Sequence, residues 1–147
     1  MSTDGSRIYF GERVSGTGLL IFQVPVNGGE ATPLSVPLRQ PSLLDISRDG
    51  TELLVKSGES DRGDPIWIQP VSGGSPRRVG TVIGYDAAFG ADGIGILYAT
   101  GHDIYSVRRD GSVNQKLLTA ESPPSGSDSR PTERSFSSLY LTTSPIR

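Results

Sequence analysis

The chain contains no cysteine, a single histidine and no long apolar run. Without cysteine it can form neither disulfides nor thiolate metal sites. Its longest uninterrupted apolar run, residues 19–22, is far too short to span a membrane. The net charge of -2 gives it no general attraction for nucleic acid or anionic lipid. Residues 1–4 lack the basic region and apolar core of a secretory signal, so the default expectation is a cytoplasmic protein without membrane association.

The sequence also lacks any stretch with sustained helical periodicity and helix caps, so we predict no helix. What it has instead is turn residues, 19 glycines and 11 prolines among 147 residues. This is above the usual share of the two residues and is typical of short strands joined by many turns. The intervening segments are rich in Ile, Val, Leu, Tyr and Trp, which favour a pleated, half-buried surface. The composition therefore predicts an all-β fold.

A short pattern, Ser-x-Asp-Gly, recurs along the chain at residues 2–5 and 47–50 and, with Gly in place of Ser, at residues 90–93. The aspartates are 45 and 43 residues apart. A fixed period of this length indicates a stacked-repeat or propeller architecture. Three such units are too few to close a propeller, so we expect the chain to form only part of one.

Each unit is predicted to contain four antiparallel strands, with one before the Asp-Gly turn and three after it. The predicted units are residues 2–40, 41–83 and 84–119, and the first is expected to lack its first strand because it begins at the Asp-Gly turn. Tight hairpin turns need positive φ, which glycine adopts freely and aspartate tolerates. The predicted structural turn residues are Asp4, Gly5, Asp49, Gly50, Asp92, Gly93, Gly28, Gly29, Gly73 and Gly74.

The repeat resembles the TolB-type β-propeller repeat over residues 2–119. In both, Ser-x-Asp-Gly is followed by Ile-x-Phe or Leu-x-Val, then Ile-Tyr or Ile-Trp, then Gly-Gly-x-x-x-Arg-Val or Leu-Leu-Thr. Residues 57–80 are the most specific part and resemble the propeller of large bacterial sensor-regulators, in which a CadC-type winged-helix DNA-binding domain precedes the propeller. The resemblance implies a partial propeller of about three blades from a six-bladed family.

The resemblance implies a non-catalytic scaffold for protein interaction or ligand sensing. It also implies that this scaffold is the remnant of a bacterial sensor or transcriptional regulator. Proteins of that parent family can be periplasmic. An alternative is the propeller portion of a dipeptidyl-peptidase-like serine hydrolase without its catalytic domain. A third is a truncated gene product without function. Since repeat units bury their apolar faces only against neighbours, we expect a protein partner or self-association through open blade edges, and no nucleic-acid binding.

Residues 120–147 depart from the repeat. From 121 onward they contain eight serines and four prolines, with charges that sum to zero. This composition favours disorder. A second hypothesis is a frameshift, because the out-of-frame reading of codons 126 onward permits another Asp-Gly near Thr132 and Glu133, about where the period predicts it.

We assign no catalytic residue, cofactor or metal. His102, the only histidine, lies in a Gly-His-Asp hairpin, and no serine occupies a Gly-x-Ser-x-Gly elbow. Glu59, Asp61 and Asp64 share one loop but lack the alternating acidic spacing of a calcium loop, so a solvated turn is favoured.

Two arginine pairs, 77–78 and 108–109, are interpreted as edge-strand charges that discourage pairing with other sheets. The aromatic residues Tyr9, Trp67, Tyr98 and Tyr105 alternate with apolar partners and are predicted to pack in the core or between blades.

Overall fold

The computed structural model describes residues 2–3, 5–58 and 63–120. In these residues the chain forms β-strands and no helix, which confirms the all-β prediction. The strands are β1 Ser2–Thr3, β2 Arg7–Val14, β3 Gly18–Pro25, β4 Thr32–Pro33, β5 Ser42–Ile46, β6 Glu52–Lys56, β7 Asp64–Pro70, β8 Arg77–Gly84, β9 Asp86–Phe89, β10 Gly95–Thr100, β11 Asp103–Arg108 and β12 Gln115–Thr119.

The strands form three separate antiparallel sheets of four strands each. Within each sheet the spatial order follows the chain order, β1 to β4, β5 to β8 and β9 to β12. We call these sheets blade 1, blade 2 and blade 3. Every connection inside a blade is a hairpin, as expected for strands joined by short glycine-rich turns.

Blade 1 contains a first strand, contrary to the expectation that it would lack one. Ser2 and Thr3 pair antiparallel with Tyr9 and Ile8. The hydroxyl of Thr3 donates to the carbonyl oxygen of Arg7 at 2.6 Å and accepts the Gly5 amide at 3.0 Å. The two residues before the turn are therefore enough to extend the ladder.

The last strand of blade 2, β8, is eight residues long and continues to Gly84, just beyond the predicted end of the second unit at residue 83. It pairs with β7 from Asp64–Gly84 to Ile68–Arg77, with one irregularity between Pro65 and Trp67. This irregularity lets a single strand pair with β7 from Asp64 to Ile68 despite the glycine at position 80.

The hydrophobic core lies between the blades. One buried cluster joins blades 1 and 2 and contains Tyr9, Ile21, Leu53 and Val55. A larger one joins blades 2 and 3 and includes Leu54, Ile66, Ile68 and Val79 from blade 2 with Ala87, Ile96, Tyr98 and Val107 from blade 3. Because side chains alternate across a strand, β6 supplies both clusters, Leu53 and Val55 on one side and Leu54 on the other. The three blades therefore form an arc with blade 2 in the middle.

Candidate interaction surface

The Asp-Gly turns are held by the aspartate side chain. In blade 2, Asp49 Oδ1 accepts the Ser47 hydroxyl at 2.7 Å, the Thr51 hydroxyl at 2.7 Å and the Thr51 amide at 3.1 Å. The Ser47 hydroxyl oxygen in turn accepts the amide of Glu52 at 3.0 Å. The bonds from Ser47 and Thr51 lower the pKa of Asp49 to about 2. The serine and aspartate of the repeat therefore act together to close the turn between the first two strands.

The other Asp-Gly turns use the same chemistry. Asp92 Oδ1 accepts the amides of Ile94 at 2.9 Å and Gly95 at 3.1 Å, and these bonds lower its pKa. Asp110 accepts the Ser112 hydroxyl at 2.6 Å and amide at 2.8 Å, which lowers its pKa. One carboxylate oxygen of each of Asp49, Asp92 and Asp110 is therefore engaged in closing its own turn.

The predicted turn glycines all have positive φ. They are Gly5, Gly50 and Gly93 in the Asp-Gly turns and Gly28, Gly29, Gly73 and Gly74 in the Gly-Gly turns. Gly50 and Gly93 are nearly identical, at 73° and 72°. Asp4 lies outside the described residues, as does the whole segment 121–147.

His102 is exposed in the turn between β10 and β11. The adjacent carboxylate, Asp103 Oδ1, accepts the Thr119 hydroxyl at 2.7 Å and lies 3.2 Å from Lys116 Nζ. The hydrogen bond from Thr119 is the main cause that lowers the pKa of Asp103, and Lys116 lowers it further. Asp103 thus ties β11 to β12.

Of the three acidic residues predicted to share one loop, Asp64 instead begins strand β7, and Glu59 and Asp61 lie outside the described residues. Asp64 Oδ2 is 3.9 Å from Lys56 Nζ. Within residues 2–3, 5–58 and 63–120, no group of three or more His, Asp or Glu side chains is arranged to hold a metal ion. The described part of the chain also has no helical segment with the length and hydrophobicity needed to cross a bilayer.

Arg77 and Arg109 both pair with one carboxylate, Glu52. Arg77 Nη2 donates to Glu52 Oε2 at 2.8 Å, and Arg109 Nη1 forms an ion pair with Oε1. Arg109 also donates to the carbonyl oxygen of Gly93 at 3.0 Å and lies 4.9 Å from the centre of the Phe89 ring. Arg109 therefore connects blade 3 to blade 2, which differs from its interpretation as an edge charge.

Two further polar groups join blades 2 and 3. Asp45 Oδ2 accepts the amide of Phe89 at 2.9 Å, and its Oδ1 accepts the amide of Ile46 at 2.8 Å. Burial raises the pKa of Asp45 more than these two bonds lower it. Lys56 Nζ donates to the carbonyl oxygen of Tyr85 at 3.0 Å. Sequence reasoning missed both contacts, because they connect strands more than twenty residues apart.

The far side of blade 1, which faces away from blade 2, carries an apolar ladder. Cross-strand pairing places Ile8 opposite Val24, Phe10 opposite Phe22 and Glu12 opposite Leu20. Directly opposite residues share a face, and Tyr9 lies on the face that packs against blade 2. We call Ile8, Phe10, Leu20, Phe22 and Val24 the blade 1 open face.

All five side chains of the open face are half-buried, and none belongs to the three core clusters found among the described residues. The Phe10 and Phe22 rings stack with their centres 5.7 Å apart at an interplanar angle of 16°. The face therefore exposes a preformed aromatic pair on a rigid sheet.

In blade 3 the same ladder positions lie on the face that packs against blade 2. There Tyr98 is opposite Tyr105, and the two rings stack at 5.2 Å, as the two phenylalanines do in blade 1. Tyr98 is 4% exposed in the cluster with blade 2, and Tyr105 packs against it. In blade 2 the corresponding pair is Val55 and Trp67. The open face thus has the residue types of a face that packs against another blade.

At the opposite end of the arc, blade 3 presents a different face. Ala88, Leu97, Ala99 and Ile104 form a cluster on its side away from blade 2, with Tyr85 packed against it. These four residues are 2%, 5%, 0% and 6% exposed. The two end faces of the arc therefore differ, one buried and one half-open.

Comparison with known proteins finds the same architecture. The chain is similar in structure to TolB from Acinetobacter baumannii, with a TM-score of 0.65 and 19% identity over 82% of this chain and 31% of that one. A TolB candidate from Agrobacterium tumefaciens matches with a TM-score of 0.66 and 20% sequence identity, over 80% of this chain and 44% of that one. A structure of a nidogen/laminin complex matches with a TM-score of 0.63 and 15% sequence identity, over 84% of this chain and 49% of that one.

These similarities show a TolB-like propeller fold and confirm the prediction of a partial propeller. The chain spans less than half the length of each of these structures. No family model and no characterised protein matches the chain in sequence.

Proposed function

We propose that this chain is a non-catalytic propeller module that binds a protein partner through the blade 1 open face. The observation that carries this proposal is the stacked Phe10–Phe22 pair, which occupies the ladder positions that in blade 3 pack against blade 2. Apolar, aromatic-rich surface on a preformed sheet is the usual centre of a protein interface. Binding there needs little reorganisation, because the ladder is already paired.

The absence of catalysis is part of the proposal, and the environment of the polar groups supports it. The carboxylate next to His102 is bonded to Thr119 and paired with Lys116, and the Asp49 and Asp92 oxygens close turns. A nucleophile, base and orienting group must converge on one point for acyl transfer. These groups are each committed to a local structural contact.

A fluorescent apolar dye, 1-anilinonaphthalene-8-sulfonate, tests whether the open face is available. In dilute solution the folded chain should bind the dye, and Phe10→Ser with Phe22→Ser should abolish the binding. Ile94→Ser is the matched control, because Ile94 is 60% exposed but lies outside the face. Equal dye binding by the double variant and the parent chain, both with unchanged circular dichroism, would argue against the open face as the binding site.

We further propose that the module derives from a bacterial sensor or transcriptional regulator. The support is the resemblance of residues 57–80 to the propellers of such regulators. Sequencing the DNA upstream of the gene tests the origin. A winged-helix segment there is expected, whereas an α/β-hydrolase segment would favour the peptidase-like parent and rule out the regulator.

A further inference from the structure

We propose that the junction between blades 1 and 2 contains a binding site for one ordered water molecule, which donates a hydrogen bond to each of two side-chain amides, Gln23 and Gln69. The Oε1 atoms of both amides are buried, and neither accepts a hydrogen bond from any group in residues 2–3, 5–58 and 63–120. Buried polar atoms in folded proteins are nearly always hydrogen-bonded, either to protein or to ordered water. A site inside this junction is separate from the blade 1 open face, so it does not depend on the proposed function.

Strand pairing places the two glutamines on the sides of blades 1 and 2 that face each other. Gln23 lies opposite Tyr9, and Gln69 lies opposite Leu53. Directly opposite residues share a face of a sheet, and Tyr9 and Leu53 belong to the same buried cluster. The two amides therefore enter one junction, each from its own sheet.

The same two positions meet at the other junction of the arc, where they are Ile68 and Val107. Ile68 lies opposite the fifth residue after the turn aspartate of its blade, as Gln23 does in blade 1. Val107 lies opposite the fourth residue after the turn aspartate of its blade, as Gln69 does in blade 2. Ile68 and Val107 are 0% and 1% exposed and belong to one buried cluster. Gln23 and Gln69 therefore occupy facing positions, where the other junction has an apolar pair.

The amide of Gln69 is oriented by its own turn. Its Nε2 donates to the carbonyl oxygens of Pro70 and Gly74, both at 3.1 Å. These two bonds fix which end of the amide is the oxygen, because a reversed amide would place its acceptor against two other acceptors. Gln69 is 0% exposed, so its Oε1 can accept only from a group inside the junction.

A water molecule matches this pair of acceptors. It has two O–H donors, one for each oxygen, and buried waters typically make about three hydrogen bonds to polar groups that the protein leaves unpaired. A calcium ion is a poorer match, because it takes about six to eight oxygen ligands and favours carboxylates. The two amides are uncharged, and the described part of the chain has no group of three or more His, Asp or Glu side chains that could hold a metal ion.

Oxygen-17 magnetic relaxation dispersion of the solvent tests the site, because it detects waters that stay bound for longer than the protein takes to tumble. Gln23→Ile with Gln69→Val transfers the apolar pair of the other junction and should remove the signal of about one such water. Gln115→Ile is the matched control, because Gln115 is exposed on β12, and it should leave the signal unchanged. An equal signal from the double variant and the parent chain, both with unchanged circular dichroism, overturns the proposal.

A crystal structure of the parent chain gives a second test that needs no variant. A water within about 3.2 Å of both Oε1 atoms is expected. A direct bond between the amides, with Nε2 of a reversed Gln23 donating to Gln69 Oε1, overturns the proposal. A cation at the site also overturns it, and a rise in the urea midpoint of unfolding on adding calcium chloride, reversed by EDTA, would identify that case. Neither result affects the dye-binding test of the open face.

Discussion

Substituting alanine for Gly111 should separate blades 2 and 3 at their outer strands. Gly111 follows β11 with φ of +89°, and it faces Gly80 in β8 of the neighbouring blade. A methyl group on Gly111 would lie 2.7 Å from the backbone nitrogen of Gly80 and closer still to its Cα. These are backbone atoms, so no side-chain rotation relieves the contact, and one blade must move.

The expected magnitude has two parts. Placing an L-residue in the left-handed region costs about 1–2 kcal/mol. Forcing extra volume into a packed contact adds about 1–3 kcal/mol. Gly111→Ala should therefore lower the free energy of unfolding by about 2–5 kcal/mol.

Gly73→Ala isolates the contact from the conformational cost. Gly73 has φ of +98° in the corresponding turn of blade 2, and a methyl group there meets nothing within 4 Å. This variant should lose only the first part, about 1–2 kcal/mol. Urea unfolding followed by the fluorescence of Trp67, the only tryptophan, measures both variants. The reasoning is refuted if Gly111→Ala costs no more than Gly73→Ala.

Three further outcomes are expected in the same assay. Arg109→Ala should lower the free energy of unfolding by about 1–2 kcal/mol, because the Glu52 carboxylate loses a partly buried partner. Arg77→Ala should lower it by under about 0.5 kcal/mol, because the Arg77 side chain is 63% exposed. Equal losses would contradict the bridging role of Arg109. Leu54→Ala should cost about 2–5 kcal/mol, because Leu54 is fully buried between blades 2 and 3, and a loss below about 1 kcal/mol would mean that this junction is not a packed core. The pKa of Asp49 is lowered to about 2 in the folded state, so its contribution to stability is present above the unfolded pKa near 4 and is lost as pH falls from about 4 to 2. Asp49→Asn should therefore make the free energy of unfolding less dependent on pH between about 4 and 2. An unchanged pH dependence would contradict this role of Asp49.

The repeat pattern predicted the fold because it reports on local geometry. A turn such as Ser47 to Thr51 closes through bonds between residues at most five apart, and glycine supplies the positive φ that it requires. Strand pairing then follows, because consecutive strands joined by tight turns become neighbours. The one strand that this reasoning omitted, β1, is two residues long and has no pattern of its own.

The candidate surface could not be read from the sequence in the same way. Phe10 and Phe22 are apolar strand residues like Tyr98 and Tyr105, and nothing in their local sequence distinguishes an open face from a covered one. Only the arrangement of the arc places one pair against blade 2 and the other on the face of blade 1 that points away from blade 2. The role of Arg109 depends likewise on Glu52, 57 residues away.

The sequence by itself therefore determined the strands, the turns and their period, because those depend on backbone conformation and on hydrogen bonds within one hairpin. The tertiary structure decided which faces of the strands meet, since each β-strand has two faces and the sequence of one blade does not say which neighbour covers them. That choice packed Tyr98 and Tyr105 against blade 2 and left Phe10–Phe22 as the surface on which the proposed function depends.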